Sequence, residues 1–386
     1  MKILYLTPKP IFPVIDGGCF AMKNFLEVLS ATEHEIDVIE FQTPKHQGDQ
    51  ALFKKHFPSL NLTQYFVNTK IQFFPFIINT LFKKNTSYNV HRFFDLEHNA
   101  SLKKRLKQQH YDLIILESIF LASYLPLFEG KIPFAVRSHN VEFQLWDQYA
   151  TFEKNGVKKI ILKKLAKDLK KVELSTIEKA KINFVLSKED KQTFESFSNT
   201  PQIYLPIHLQ VNKRTKPVNP KSICHLGSMN WQPNIDAVHY LIHVLFPELL
   251  LSVPDAKLHL AGSHSQKQNL RPEISQHGFV VDYISFYQDH GILVSPISIS
   301  SGVRIKILEA LANGIPVLTT TEGAKGIDLE DQMMVENELQ QQVNQLKRMM
   351  EHPEVLEQLI QKGYDYIEKN HSKSHVYSIL NKTLNG

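Results

Sequence analysis

The fold is decided by residues 291–326, which read GILVSPISISSGVRIKILEALANGIPVLTTTEGAKG. The short apolar run Ile292–Ser295 lacks polar alternation, which predicts a buried parallel strand. Serines and Gly302 form a turn after it, and apolar residues then recur at three-to-four spacing, which predicts a helix with one buried face. Gly314 is expected to end that helix, and the next strand is expected to begin at Pro316. The stretch therefore predicts a strand–turn–helix–strand unit of a parallel α/β sheet.

The start of this predicted helix is a candidate anion site. A helix that follows a parallel strand directs its free N–H groups and its positive dipole end outward together. Arg304 and Lys306 fall in the predicted first turn, where cations oppose the dipole. Their placement makes better sense if an anion binds there. The alternative is that both are solvated surface cations, the usual fate of charges on a helix.

The bulk composition is that of a two-domain globular protein. A chain of 386 residues exceeds what one hydrophobic core usually organises. Its hydrophobic content of 42% and charged content of 22% are ordinary. The net charge of +5 mildly favours anionic partners such as phosphates. Nucleic acid is set aside as a partner, because the sequence carries no zinc-finger, helix-turn-helix or RNP signature.

Cysteine usage and the N-terminus bear on the compartment. Cys19 and Cys224 are far apart and lack CxxC spacing, so no disulfide framework and no zinc site is predicted. The opening MKILYLTPKP is too short in its apolar part for a signal peptide. No apolar run is judged to approach the length of a membrane span. The sequence therefore predicts a cytoplasmic protein.

Short apolar runs alternate with helical stretches in two sets, which predicts two parallel α/β domains. The strands expected are 2–7, 35–41, 113–117, 134–137, 183–186 and 203–205 in the first set, and 222–226, 257–261, 279–281, 292–295 and 316–319 in the second. The aperiodic segment 209–220 is the predicted linker. The predicted domains are 1–208 and 221–369, and residues 370–386 form a last helix after a break near Ser372.

Several loops qualify as ligand sites, because open parallel sheets bind ligands at the carboxyl ends of their strands. Gly17 and Gly18 follow the first strand and would let a phosphate or sugar approach the backbone, although a tight strand–helix turn is the plain alternative. His139 follows another strand and can hydrogen-bond a sugar hydroxyl or cap the next helix. Gly227 and Ser228 follow the first strand of the second domain.

Residues 291–326 resemble the donor-binding motif of glycosyltransferase family 4, whose members are retaining, nucleotide-sugar-dependent enzymes with the GT-B fold. That motif has two glutamates with seven residues between them, then an Ala-rich helix, Gly-x-Pro and a Val-rich strand. Glu309 stands at the second glutamate, in ILEALANGIPVLTT, and Ser301 stands at the first. The resemblance implies that Glu309 binds the ribose hydroxyls and that amides near Gly302 and Val303 hold the diphosphate. Because Ser301 stands in place of a carboxylate, the hydrogen bonds to the sugar ring are expected to differ from the family pattern.

The resemblance also assigns two loops of the first domain. In the family, a glycine loop at the position of Gly17 and Gly18 faces the donor phosphates and the acceptor. A histidine at the position of His139 contacts the transferred sugar. Glu142 is a weaker candidate, with a first-turn dipole partner as its plain alternative.

The phosphate-binding cations of the family are displaced in this sequence. The family's loop usually reads Gly-Arg with a Lys-Gly a few residues later, but here Ser228 follows Gly227. Arg304 and Lys306 are the expected replacements, because they belong to the other loop that lines the implied cleft. Arginine suits this task, since its planar fork can grip a phosphate through two hydrogen bonds.

The resemblance implies an α/β protein with the GT-B fold: two Rossmann-like domains facing a cleft and a C-terminal helix that crosses back to the first domain. The implied reaction moves a sugar from a nucleoside diphosphate to a hydroxyl of a glycan or lipid-linked acceptor, with retention, in surface polysaccharide or glycoconjugate assembly. The implied catalytic residues are His139, Arg304 and Glu309. Neither a metal nor a cofactor is expected, because helix ends and cations neutralise the leaving diphosphate. A nucleotide-sugar epimerase and a non-catalytic GT-B scaffold subunit remain as alternatives.

Two stretches bear on the acceptor and on the membrane. Residues 73–84 are aromatic and apolar and end in two lysines. Residues 162–172 place Leu165, Leu169 and Val172 on one helix face and lysines elsewhere. Basic amphipathic helices can lie on anionic membranes, here at the inner face, as a peripheral contact. The alternative, and the commoner arrangement, is that the apolar stripe packs on the core.

Overall fold

The computed structural model describes residues 1–72, 76, 86–229, 231–263, 270–299 and 302–386. It divides into two compact units. Unit 1 comprises Met1–Ile207 and Tyr377–Gly386, and unit 2 comprises His208–Val376. The aromatic stretch 73–84 lies outside the described residues except for Phe76, and so does Ser301.

Unit 1 is built on a seven-stranded parallel sheet in the described part of the chain, in the order β3-β2-β1-β4-β5-β6-β7. Its strands are β1 (Lys2–Thr7), β2 (Glu35–Gln42), β3 (Asn61–Phe66), β4 (Leu113–Leu116), β5 (Phe134–Ser138), β6 (Ile182–Val185) and β7 (Gln202–Tyr204). Its helices are α1 (Gly17–Leu29), α2 (Gln50–His56), α3 (Tyr88–His91), α4 (Leu96–Gln108), α5 (Glu142–Phe152), α6 (Gly156–Lys179) and α7 (Lys188–Glu195), with a 3-10 segment over Ile119–Leu127. The central strands are buried along their whole length, because helices cover both faces of a parallel sheet.

Unit 2 is built on a six-stranded parallel sheet among the described residues, in the order β10-β9-β8-β11-β12-β13. Its strands are β8 (Ser222–Leu226), β9 (Lys257–Ala261), β10 (Ile274–Gly278), β11 (Ile292–Ser295), β12 (Val317–Thr319) and β13 (Met334–Val335). Its helices are α8 (Gln232–Tyr240), a π-helical turn over Leu241–Leu245, α9 (Phe246–Ser252), α10 (Tyr283–Asp289), α11 (Ile305–Ala312), α12 (Thr321–Ala324), α13 (Leu339–Glu351) and α14 (Pro353–His371). A last helix, α15 (Lys373–Asn385), begins in unit 2 and ends in unit 1.

Both sheets reverse their strand order at one point. Counted within each unit, both follow the 3-2-1-4-5-6 order of doubly wound α/β folds, and unit 1 adds a seventh strand. The reversal lies between β1 and β4 in unit 1 and between β8 and β11 in unit 2. A crevice for ligands opens outside the carboxyl ends of the strands at such a point. The predicted parallel α/β architecture is thus confirmed, and the crevice rule directs attention to the loops that follow these four strands.

One predicted strand is wrong. Residues 279–281 are not a strand, and Phe279 and Val281 are 58% and 85% exposed. The edge strand of this sheet is Ile274–Gly278, whose sequence ISQHG is mostly polar and only partly buried. An edge strand has one neighbour and can face water, so its sequence lacks the apolar run that marks a central strand. Two further edge strands were not predicted either, Met334–Val335 at the opposite edge of this sheet and Asn61–Phe66 in unit 1.

The helix of the opening motif starts later than predicted. It begins at Ile305, and Arg304 is the residue before it, with φ −83° and ψ 88° outside the helical region. Gly302 turns the chain here with φ +67°, a left-handed conformation that glycine adopts without strain. Arg304 therefore precedes the helix, while Lys306 does lie in the first turn. The predicted apolar stripe is buried, as Ile307 and Leu311 illustrate.

The predicted linker is held closely to unit 2. Arg214 donates hydrogen bonds to the carbonyl oxygens of Gln288 at 2.8 Å and of His290 at 3.2 Å, at the carboxyl end of α10. Cations stabilise that end of a helix, where carbonyl groups lack partners. Leu209 N–H donates to the carbonyl of His371 at 2.7 Å. Segment 209–220 is therefore ordered by unit 2.

One helical stretch contradicts the expectation that no run approaches a membrane span. Gln232–Ser252 is long and apolar enough for one, and a third (33%) of its most apolar window is buried. Its Leu245, Phe246 and Leu249 belong to the hydrophobic core of unit 2, together with Leu258 of β9 and Leu346 of α13. One face of this helical stretch therefore packs on the core of unit 2.

A glycine pair fixes the backbone between β8 and β9. A Cβ added to Gly262 would lie 1.7 Å from the carbonyl oxygen of Gly227, and Gly262 has φ +153°. We expect Gly262→Ala to destabilise unit 2 by about 2 kcal/mol or more, because the backbone must move and strain remains. Gly278→Ala is the matched control, since Gly278 has φ +67° but nothing within 4 Å of a Cβ. The control should lower the free energy of unfolding, measured by urea denaturation, by about 1 kcal/mol. An equal loss of stability in both variants would contradict the close approach of Gly262 to Gly227.

Candidate active site

The loop after β8 is tightly held by side-chain hydrogen bonds. A Cβ on Gly227 would lie 2.7 Å from the side chain of Asn234, so a larger residue there would displace the Asn234 side chain. Asn234 donates through Nδ2 to the carbonyl of Ser228 at 2.8 Å. The hydroxyl of Ser263, from the loop after β9, donates to Oγ of Ser228 at 2.8 Å. Ser228 is therefore engaged by two neighbours, and this loop offers backbone and hydroxyl groups without a cation.

Lys306 reaches from α11 to this same loop. Its Nζ donates to Oδ1 of Asn234 at 2.8 Å and lies 3.4 Å from Nε2 of His225. Nδ1 of His225 lies 2.9 Å from the carbonyl oxygen of Val294, so this nitrogen carries the hydrogen and Nε2 faces the ammonium. Burial, and secondly Arg304, lower the pKa of Lys306 to about 7. Lys306 is thus poised to gain charge when an anion approaches.

Arg304 is buried at the turn before α11. Its Nη2 donates to the carbonyl of Gly302 at 3.0 Å, and its guanidinium lies 4.9 Å from the ring centroid of Trp231. A guanidinium over an aromatic face is held by the ring quadrupole. The neighbouring Val303 is in close contact with Gly326, where a Cβ would lie 3.0 Å from its Cγ2. The turn therefore holds Arg304 in one orientation.

Glu309 follows Lys306 by one helical turn. Burial raises the pKa of its carboxyl group to about 8, although the side chain keeps some solvent exposure. This carboxylate accepts no hydrogen bond from any residue in the described ranges, while its backbone carbonyl accepts from Asn313. A half-buried carboxyl without a protein donor is suited to accept hydrogen bonds from the hydroxyls of a ligand.

A second cluster of charged residues lies at the carboxyl ends of β4 and β5 in unit 1. Glu117 is fully buried, and its carboxylate accepts from Arg137 and, at 2.5 Å, from the hydroxyl of Tyr5. Arg137 is itself buried, with its guanidinium 4.7 Å from the ring centroid of Phe25. Arg137 is the main cause that lowers the pKa of Glu117 against its burial. The cluster is therefore a buried ion pair at the crevice position.

His139 belongs to the same cluster. Its Nε2 lies 2.5 Å from Oε1 of Glu117 and 3.1 Å from Nη1 of Arg137. Burial lowers the pKa of His139 despite the neighbouring carboxylate, so the ring is neutral at pH 7. A neutral ring that donates from Nε2 to Glu117 leaves Nδ1 as an acceptor. His139 is thus oriented by its neighbours to accept a hydrogen bond at Nδ1.

The glycine loop after β1 is fixed by an acidic residue. Asp16 caps α1, accepting from the N–H of Cys19 at 2.8 Å, and its carboxylate pairs with Lys9 at 2.6 Å and His46 at 3.2 Å. These partners lower the pKa of Asp16 against the effect of burial. A Cβ on Gly18 would lie 2.6 Å from Nζ of Lys9. Gly18 therefore makes room for a lysine, a cation that the sequence analysis did not single out.

Glu142 lies beside a second buried carboxyl, Glu173. Both oxygens of Glu173 accept backbone N–H groups at the start of α5, from Glu142 at 3.0 Å and Phe143 at 2.9 Å. Burial, and secondly Glu142, raise the pKa of Glu173 well above its ordinary value, and burial raises the pKa of Glu142 to about 7. The carboxyl group of Glu173 is therefore engaged at the helix start, while the carboxyl group of Glu142 accepts a hydrogen bond from Nδ2 of Asn140 at 3.1 Å.

The structure thus brings the predicted residues together in two groups. Unit 2 holds Gly227, Ser228, Gly302, Val303, Arg304, Lys306 and Glu309 around the reversal of its sheet, and unit 1 holds Gly17, Gly18 and His139 around its own. Sequence reasoning missed the supporting residues Asn234, His225, Trp231, Lys9 and Glu117. Glu117 carried a signal, since it directly follows the buried run LIIL of β4.

Comparisons with known proteins show what the chain is similar to. Residues 220–352 match the family model described as "Glycosyl transferases group 1". The whole chain is 22% identical, over 408 residues and 99% of each sequence, to a Klebsiella pneumoniae protein described as an uncharacterized 44.6 kDa protein in the cps region. The family match covers most of unit 2, including every described residue of its candidate site.

Solved structures share the fold of the whole chain. TarM aligns over 100% of this chain and 98% of its own, with a TM-score of 0.69 and 12% identity. HepE of Anabaena, in complex with UDP and glucose, aligns over 100% and 99%, with a TM-score of 0.68 and 12% identity. WaaG, a glycosyltransferase involved in lipopolysaccharide biosynthesis, aligns over 99% and 98%, with a TM-score of 0.61 and 14% identity.

The chain is therefore a glycosyltransferase with the GT-B fold. Residues 220–352 in its unit 2 match the group 1 glycosyltransferases, which agrees with the resemblance found in residues 291–326.

Proposed function

We propose that this protein is a retaining glycosyltransferase that moves a sugar from a nucleoside-diphosphate sugar to a hydroxyl of a glycan or lipid-linked acceptor in surface polysaccharide or glycoconjugate assembly. The observation that carries the proposal is the set of charges on the 302–309 segment. Two basic residues, Arg304 and Lys306, lie within two helical turns of Glu309, whose carboxyl group accepts no hydrogen bond from the residues that the structure describes. A nucleoside diphosphate offers the matching groups, namely phosphate oxygens and ribose hydroxyls.

The proposed roles follow from these contacts. The carboxylate of Glu309 accepts hydrogen bonds from the ribose hydroxyls. The backbone N–H groups of Gly302 and Val303 donate hydrogen bonds to the diphosphate. Arg304 and Lys306 offset the charge that develops on the leaving diphosphate, which lowers the barrier when the donors are fixed in advance. Nδ1 of His139 accepts a hydrogen bond from a hydroxyl of the transferred sugar. The reaction needs neither a metal nor a cofactor in this scheme, because the two cations and the helix start neutralise the leaving group.

A donor screen tests the proposal. UDP-, GDP- and ADP-sugars are added separately to the purified protein, and the melting temperature is measured. The true donor stabilises the fold by mass action, about 2.7 kcal/mol at a concentration 100 times its Kd. UDP-glucose comes first, since HepE of Anabaena is known with UDP and glucose. A shift with a donor, followed by transfer to an acceptor with the anomeric configuration kept, is expected; no shift with any donor would favour the scaffold alternative.

The two titrating groups predict opposite pH effects on donor binding. Lys306, with a pKa of about 7 in the free protein, must take up a proton to pair with the diphosphate. In a Glu309→Gln variant, donor affinity should therefore fall by up to about tenfold per pH unit above pH 7. Glu309, with a pKa of about 8, must lose its proton to accept two hydroxyls, so affinity in a Lys306→Met variant should rise toward pH 8. Calorimetry in both variants checks this, and equal slopes would contradict it.

We also propose a cytoplasmic location with peripheral contact at the inner face of an anionic membrane. The predicted stripe of residues 162–172 is unsuited to this contact, because Leu165 and Leu169 are buried in unit 1. The exposed apolar residues lie just before it, where α5 meets α6: Phe152, Val157 and Ile160 are 61%, 71% and 70% exposed. Exposed Lys154, Lys158 and Lys163 surround them. Apolar side chains with flanking lysines match an anionic bilayer surface.

Vesicle sedimentation tests the membrane contact. We expect Val157→Ser/Ile160→Ser to weaken binding to vesicles with anionic lipid at least tenfold, because each side chain contributes about 1.5–3 kcal/mol when buried. Leu251→Ser is the matched control, since Leu251 is 77% exposed in unit 2. Wild-type protein that stays in the supernatant with anionic vesicles would contradict the contact.

The epimerase alternative receives no support from the described residues. Such an enzyme needs a pair of acid–base carboxyl groups at the sugar, and of the neighbouring Glu142 and Glu173 in unit 1, the carboxyl group of Glu173 is engaged by backbone N–H groups at the start of α5. The scaffold alternative is favoured by the serine at position 301 and by the absence of a cation in the described part of the Ser228 loop. Lys306 argues against it, because its ammonium group reaches that loop.

A further inference from the structure

Three histidines meet at one edge of the unit 2 sheet, away from the residues assigned to the donor. His259 lies on β9, His277 on the edge strand β10, and His290 directly after α10. Each offers one ring nitrogen, and these three nitrogens lie within 4.8 Å of one another. Nδ1 of His259 and Nε2 of His277 are 3.0 Å apart. Three potential ligands from separate segments therefore converge on one point.

The three rings pack closely against one another and against neighbouring side chains. The rings of His259 and His290 are stacked with their centroids 4.1 Å apart, and the ring of Phe286 from α10 lies edge-on to His290 at 4.5 Å. The hydroxyl of Ser222 at the start of β8 lies 2.9 Å from Nδ1 of His290, which leaves Nε2 of that ring for another partner. A hydrogen bond at the second nitrogen is what orients a metal-bound histidine in proteins.

We propose that His259, His277 and His290 bind a divalent transition-metal ion such as Zn²⁺. Imidazole nitrogen is a preferred ligand of Zn²⁺, Ni²⁺ and Cu²⁺, and Zn²⁺ accepts three histidines with water in the fourth position. The Zn–N distance of about 2.0–2.1 Å requires that the three nitrogens approach one another, and that the stacked rings of His259 and His290 turn until the ion lies in the plane of each ring. His277 is exposed, so the ion has an open path from solvent and a place for the water ligand.

The proposed ion has a structural role. It ties the edge strand β10 to β9 and to the turn that precedes β11 at the centre of the sheet. His290 lies just before β11, at its amino end, whereas the donor residues lie at the carboxyl ends of the strands. The ion is therefore separate from the metal-independent transfer proposed above, and it stabilises unit 2 by mass action.

Zn²⁺ binding to untagged protein, previously treated with a chelator, tests the proposal. Competition calorimetry should give one tight Zn²⁺ site per chain, and Zn²⁺ should raise the melting temperature. Because His277 is exposed, His277→Ala is expected to fold normally and to weaken Zn²⁺ binding at least tenfold. Ser222→Ala should weaken binding by roughly 10–100-fold through the orientation of His290. Co²⁺ in place of Zn²⁺ should give the visible absorption of a four-coordinate site, and this absorption should disappear in His277→Ala.

A second histidine pair provides the control. His239 and His243 lie one turn apart on an exposed helical face, with ring centroids 4.4 Å apart, and can chelate metals by themselves. His239→Ala/His243→Ala should leave the tight site intact. Zn²⁺ binding that disappears in this control and survives in His277→Ala would overturn the proposal. The absence of a tight site in the wild-type protein would overturn it as well, and would mean that the 3.0 Å contact is a hydrogen bond between two imidazoles.

Discussion

Combining Arg304→Ala with Glu309→Ala is expected to weaken binding of the nucleotide sugar at least a hundredfold, and each substitution alone at least tenfold. A tenfold loss corresponds to about 1.4 kcal/mol. Removal of Arg304 takes away a guanidinium that is already oriented by Trp231 and by the carbonyl of Gly302. Removal of Glu309 takes away the half-buried carboxyl that faces no protein donor in the described ranges. Isothermal titration calorimetry with the donor measures all three variants.

Matched variants distinguish this loss from a general effect of charge. Arg348→Ala and Glu351→Ala remove an exposed arginine and an exposed glutamate from α13 of the same unit, and both should bind the donor like the wild type. Arg304→Lys should recover only part of the affinity, because lysine lacks the planar fork that stacks and donates two hydrogen bonds. Donor affinity within twofold of the wild type in both Arg304→Ala and Glu309→Ala would contradict the site assignment.

Glu117→Ala is expected to destabilise unit 1 by about 3–5 kcal/mol, because it leaves the buried Arg137 without its carboxylate. Arg137 is 1% exposed, so water cannot replace the lost partner. Urea denaturation followed by tryptophan fluorescence measures this loss. The two tryptophans of the chain lie in different units, Trp146 in unit 1 and Trp231 in unit 2. A Trp231→Phe background therefore reports unit 1 alone.

A double substitution checks the cause of that loss. If the cost of Glu117→Ala comes from the stranded guanidinium, then Glu117→Leu/Arg137→Met should recover much of the stability, because apolar residues of similar volume often replace a buried ion pair at little cost. A loss below about 1 kcal/mol in Glu117→Ala would mean that the ion pair contributes as little as an exposed one. A double variant as unstable as the single one would also contradict this account.

The sequence predicted the central strands well, because burial on both faces requires an apolar run. Ile292–Ser295 and Ser222–Leu226 lie where that pattern places them. Edge strands do not require an apolar run, because they are not buried on all sides. The run FVV at 279–281 looked like a strand but lies in an exposed loop, and the true strand ISQHG is paired on one side only. This edge strand is formed by hydrogen bonds between backbones, and the pattern of side chains along the sequence does not reveal such pairing.

The candidate site was predictable where the motif is local. Gly302, Lys306 and Glu309 lie on one turn–helix unit, so their spacing along the chain already fixes their geometry. The unit 1 cluster is different, because Tyr5 lies on β1, Glu117 directly follows β4 and Arg137 lies on β5. Only the strand order of the sheet brings these three together. A buried arginine in the strand FAVRS and a glutamate directly after LIIL were the local signals available.

The most direct test of the central claim, donor binding at the 302–309 segment, uses Trp231 as a reporter. In a Trp146→Phe variant, Trp231 is the sole tryptophan, with its ring centroid 4.9 Å from the guanidinium of Arg304. UDP-, GDP- and ADP-sugars are titrated in turn while its fluorescence is followed. The account predicts a saturable change with one nucleotide, and at least tenfold weaker saturation when Glu309→Ala is added. Fluorescence that stays constant with every donor, or saturation that Glu309→Ala leaves unchanged, would contradict it.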